Sequence, residues 1–90
     1  MGYETLVAEI GRMKKLLERS MPVLRKEVDL IISSRVGSVQ RIEMTLDSLL
    51  GFVPWGLGET EFKRLNRYYA GIHRENAAQY SKFYDEAIAL

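Results

Sequence analysis

The sequence predicts an all-α fold: a three-helix antiparallel bundle of one short and two long helices, completed by dimerisation. Three observations predict it. Apolar residues recur every three or four positions through nearly the whole chain. Only two stretches punctuate that pattern, Ser20-Met21-Pro22 and the uncharged, glycine-rich run from residue 51 to 58. The two long stripes that remain exceed what the short first helix can cover.

The first helix is expected over residues 3–20. Tyr3, Leu6, Ile10, Met13 and Leu17 follow one another at spacings of 3, 4, 3 and 4, and so share one face. Val7 and Leu16 widen it. Lys14, Lys15 and Arg19 fall late in the helix, where cations suit the negative end of the dipole. Pro22 disfavours helical geometry at Met21 and suits the first position of a new helix, so a break is predicted there.

The second helix is expected over 22–50, with the stripe Leu24, Val28, Ile31, Arg35, Val39, Ile42, Leu46 and Leu49. Its phase survives the poor helix formers Ser33, Ser34, Val36, Gly37 and Ser38, which predicts one continuous helix with a kink near Gly37. The third helix is expected over 59–89. Glu59 and Glu61 complement its N-terminal dipole, and the stripe is Phe62, Leu65, Tyr69, Ile72, Asn76, Tyr80, Phe83, Ala87 and Leu90. Arg35 and Asn76 are polar positions in otherwise apolar seams. Either they fix register or partner number, or the helices rotate them outward.

Ninety residues make a single helical domain with a modest core. There is no cysteine, which excludes disulfide scaffolds, cysteine nucleophiles and thiol redox chemistry. The N-terminal residues lack a basic segment followed by an apolar core, and no uncharged run reaches the roughly 18 residues of a membrane span. A soluble, cytoplasmic protein is expected. One histidine, His73, cannot build a multi-histidine metal centre, and neither Glu-x-x-His nor His-Glu-x-x-His occurs. No metal, cofactor or catalytic residue is predicted.

The apolar loop 51–58 holds the chain's only tryptophan. Phe52, Val53, Trp55 and Leu57 are the candidate partner-binding residues, because aromatic anchors dominate interface energetics. The competing expectations are that they fold back, bury Trp55 and plug the bundle, or, least favoured, that they touch a membrane surface. A helix, a Trp-Gly loop and a second helix resemble the small secreted WXG-type hairpin proteins. The chain departs from them in having Trp55 directly before Gly56, and no tyrosine with an acid four residues later near its C-terminus.

Non-enzymatic self-association, as a homodimeric coiled-coil-like bundle or with another helical protein, is the expected function. The alternative is a small nucleic-acid-binding regulator using basic blocks 12–26 and 63–74, with Arg12, Lys14, Lys15, Arg19, Lys63, Arg64, Arg67 and Arg74 as phosphate contacts. The formal net charge of only +1 argues against it. Arg67 and His73 also resemble the arginine–histidine pair of HEPN-type ribonucleases. That resemblance would imply phosphate stabilisation by Arg67 and proton transfer by His73, although Tyr68 stands where that family often has a polar residue.

Overall fold

A computed structural model describes residues 2–89. Four α-helices and one short 3₁₀ turn are present among them: α1 (Tyr3–Ser33), α2 (Val39–Phe52), the 3₁₀ turn Val53–Trp55, α3 (Glu59–Ala70) and α4 (Arg74–Ile88). The all-α expectation holds, but the helix boundaries move at three places. Leu90, the last position of the predicted third stripe, lies outside the described residues.

The predicted break at Pro22 does not occur, and α1 runs through it. A proline in a helix interior costs about 3 kcal/mol, so packing must offset it. Pro22 is exposed, while Met21, Val28 and Ile31 around it are buried against the other helices. The spacing Leu17, Met21, Leu24 keeps the stripe in phase across the proline. The 3–20 and 22–50 helices are therefore mispartitioned: one helix of 31 residues replaces the first and the front of the second.

The predicted continuity through Gly37 also fails. α1 stops at Ser33 and α2 starts at Val39. Two backbone bonds close the end of α1, from Arg35 N to Ile32 O and from Val36 N to Ile31 O, which is the Schellman arrangement. Arg35 occupies its left-handed position, with φ of 52°. It is thus exposed at a corner rather than set in a seam. Ser38 then caps α2 by accepting from Arg41 N at 3.2 Å. A left-handed residue with a Cβ costs about 1–2 kcal/mol. Arg35→Gly is accordingly expected to stabilise the protein by about 1 kcal/mol, read as a rise in thermal midpoint, whereas Arg35→Val lowers it.

The third predicted helix is split at Gly71-Ile72-His73 into α3 and α4. His73 is the N-cap of α4, its Nδ1 accepting from Asn76 N at 3.2 Å. Ile72, placed on the inward stripe by spacing, is instead exposed at this corner.

The core is built from the second half of α1 with α2, α3 and α4. Val28, Ile31, Ile42, Leu46, Leu49, Leu65 and Tyr69 are fully buried. The Phe62 and Tyr84 rings stack at 5.2 Å between centroids, and Tyr69 and Tyr80 meet edge-on at 6.4 Å. Asn66 stitches α3 to α4, its amide donating to Ala77 O at 3.0 Å and Ser81 Oγ at 3.1 Å. The α1 face is tied to its neighbours by Arg25–Glu61, Arg41–Glu27 and Arg64–Asp29 ion pairs.

The described residues measure 50 × 25 × 18 Å, with a radius of gyration of 14.8 Å. A compact chain of this length would have about 12 Å. The excess comes from α1. Its 31 residues extend about 46 Å, but only the part from Met21 onward carries buried residues.

Candidate interaction surface

Two surfaces are candidates for contact with a partner, one predicted from the sequence and one that only the fold reveals. The first is the apolar loop. It is not an open loop: α2 continues through Phe52, and Val53-Pro54-Trp55 makes a 3₁₀ turn that packs on α2 and α4. Val53 is buried, and Phe52 and Leu57 pack partly covered against the core. Trp55 is half-buried. Gly56 and Gly58, with φ of 76° and 79°, give the two left-handed steps that bring the chain back into α3. A Cβ on Gly58 would sit 3.3 Å from Leu49 Cδ2, so backbone and core approach closely here. Of the four candidate anchors, Val53 is the plug, and Phe52, Trp55 and Leu57 expose only a remainder.

The acidic residues bracketing that loop each have a partner, three of them across helices and Glu59 within α3 at the surface. Glu43 accepts from the Tyr69 hydroxyl and from Asn76 Nδ2, the latter at 3.0 Å. Asp47 accepts from the Tyr80 hydroxyl at 2.8 Å. Glu61, itself buried, pairs with Arg25 at 3.0 Å, and Glu59 with Lys63 at 2.8 Å. Asn76 therefore lies in the seam as part of a polar network joining α2, α3 and α4. Sequence spacing put Tyr69, Asn76 and Tyr80 on one face, but it could not reveal their carboxylate partners 26 or 33 residues earlier.

This network holds the tyrosines protonated. Burial raises the Tyr80 and Tyr69 hydroxyls above the ordinary phenol range, and the hydrogen bonds to Asp47 and Glu43 raise them further. A raised folded-state value means stability that is complete below the unfolded tyrosine's range, about pH 10. It is lost as pH climbs past that point. Thermal midpoints are expected to fall steeply above about pH 10, and Tyr80→Phe should flatten the fall while lowering the midpoint at neutral pH.

The basic candidates do not gather into one patch. Arg12, Lys14, Lys15 and Arg19 are exposed on the first half of α1. Lys63 and Arg64 are taken up by Glu59 and Asp29. Arg67 and Arg74 are exposed, on α3 and α4 respectively. Arg67 and His73 lie on opposite sides of the α3–α4 corner rather than on one helix, and the His73 Nδ1 is occupied as a cap acceptor. Among the described residues no three histidine or acidic side chains assemble a metal-binding group, and no helix is long and apolar enough to cross a membrane.

The second surface is the first half of α1. Every residue from Gly2 to Ser20 is exposed except the partly covered Leu17. Tyr3 is 80% exposed, and Leu6, Val7, Ile10, Met13 and Leu16 are between 46% and 60%. Eighteen residues are five turns at 3.6 residues per turn. Tyr3, Leu6, Ile10 and Met13 are thus repeated on the same face by Met21, Leu24, Val28 and Ile31. The later set faces α2 and α3, with Met21, Val28 and Ile31 buried and Leu24 partly so. Among the described residues nothing packs against the earlier set. At the junction, Leu16, Ser20, Val23, Leu24, Ser48 and Phe52 line an open, mostly apolar groove between the arm and α2.

No protein-family model, curated protein or solved structure matches this chain.

Proposed function

We propose that the chain is a non-enzymatic self-association module in which a four-helix core displays the first half of α1 as its docking element. The observation that carries this reading is the repeated stripe: one half is covered by the chain's own bundle, and the other is a ready-made helical seam with no cover. An isolated helix of this length is marginal in water, and an exposed apolar face of this size commonly marks an interaction site.

The magnitude is modest. Burying a Leu, Ile, Met or Val side chain from full exposure contributes about 1.5–3 kcal/mol, so half-covered side chains contribute about 1 kcal/mol each. Two arms give a gross gain on the order of 10 kcal/mol, against an association cost of about 4–15 kcal/mol. With the cost at the low end of that range the net is about −6 kcal/mol, so a dissociation constant between about 40 μM and 1 mM is expected. Sedimentation equilibrium across that range tests the reading. Reversible association with a concentration-dependent helix signal supports it, because uncovered arms fray. A monomer throughout would defeat it.

A second reading keeps a specific observation in its favour. Arg12, Lys14, Lys15 and Arg19 are exposed on the same arm, and none forms an ion pair among the described residues. Nucleic-acid binding through them must weaken steeply with salt. Failure to retain duplex or single strands in a low-salt shift assay removes it.

A further inference from the structure

The arm is segregated by charge as well as by polarity. Residues 3–11 carry Glu4 and Glu9 and no cation. Residues 12–20 carry Arg12, Lys14, Lys15 and Arg19 against the single acid Glu18. Resting on the self-association reading above, we propose that the arm is covered by the same arm of a second copy running antiparallel to it.

Three features select that occupant and that direction. The first is charge. Antiparallel pairing sets the acidic half of each arm beside the basic half of the other, twice over by symmetry. Parallel pairing sets like beside like. The second is the position of the bundle. The stripe of the arm continues without change of face into Met21, Leu24, Val28 and Ile31, where α2 and α3 already lie. A parallel second copy would bring its own bundle into that occupied space. An antiparallel copy carries its bundle to the far end of the seam. The third is length. The uncovered stripe begins at Tyr3 and the bundle begins at Met21, so an arm laid antiparallel on its equal ends where the bundle starts.

The register follows. Ile10 of each copy sits against Met13 of the other, Leu6 against Leu17, and Tyr3 against Ser20. Tyr3 reaches the groove lined by Leu16, Leu24 and Phe52. That groove is open in the single chain because its occupant belongs to the second copy. Ser20, the small residue in the seam, is where an incoming aromatic ring needs room.

The absence of native cysteine makes the test clean. Tyr3→Cys and Ser20→Cys variants of the full chain are mixed and oxidised, with Leu6→Cys and Leu17→Cys as a second pair. Expected are mixed disulfides, 3 to 20 and 6 to 17, with the 3-to-3 product at background. In a parallel pair positions 3 and 20 would be about 25 Å apart, far beyond disulfide reach. Sodium chloride should weaken the wild-type dimer, because the acidic half of each arm lies along the basic half of the other. A dominant 3-to-3 disulfide, or a dimer strengthened by salt, overturns the antiparallel arrangement while leaving self-association intact. A dimer with no arm cross-link in either pair does the same. A chain that sediments as a monomer overturns both. The substituted positions other than Leu17 are exposed in the single chain, so the thermal transition of the bundle should persist in the variants and report that they are folded.

Discussion

Ile31→Ala is expected to destabilise the folded chain by about 2–5 kcal/mol, whereas Met13→Ala, five helical turns earlier on the same face of α1, leaves the dissociated chain's stability nearly unchanged. The two positions have the same helical phase and comparable hydrophobicity. They differ in what lies opposite. Ile31 is fully buried among α1, α2 and α3, so truncation loses its transfer free energy and leaves a cavity in a packed region. Met13 is 53% exposed, so truncation in the dissociated chain removes little contact. A domain of this size has about 5–15 kcal/mol of stability, so Ile31→Ala takes a large share of it at any concentration. Met13→Ala should instead show its effect only where the chain associates. Urea unfolding at two protein concentrations separates the cases. A concentration-independent loss of more than about 2 kcal/mol for Met13→Ala would show that the arm packs on its own bundle.

The second large effect concerns the arm alone. Leu6→Asp combined with Ile10→Asp is expected to raise the dissociation constant at least about a hundredfold, because each substitution places an uncompensated carboxylate in the seam and symmetry counts each one twice. The thermal transition of the bundle should stay in place, since neither residue contributes to the core. Helix content at dilution should drop as the arm loses its cover. Association unchanged by this double substitution would place the self-association surface elsewhere, with the exposed remainder of Phe52, Trp55 and Leu57 the next surface to test.

Much of the candidate surface was legible in the sequence. Tyr3, Leu6, Ile10 and Met13 announce an amphipathic helix, and the expectation that one stripe would go uncovered follows from counting stripes against helices. What the count misassigned was which stripe. The prediction left the two long helices short of cover; in the fold they are broken into α2, α3 and α4, which cover one another. The uncovered stripe lies on the helix thought to be the short one.

Sequence by itself determined that this chain is helical, that its apolar residues form seams, and that the stretch after Leu50 turns the chain back into α3. Those properties are local: spacing at 3.6 residues per turn, glycine at left-handed positions, and the lack of alternating strand patterns. Only the tertiary structure decided where the helices end. A stripe keeps its phase across a corner when the helices on both sides bury residues in the same core, so Ile31 to Val39 and Tyr69 to Tyr80 read as continuous though each spans a break. Conversely, Pro22 reads as a break by local rules. It is carried inside α1 because Met21 and Val28 on either side are held by α2 and α3, and that packing offsets the missing backbone bond. The roles of Glu43 and Asp47 are equally tertiary. A carboxylate looks solvated in sequence until a tyrosine hydroxyl from another helix is folded against it.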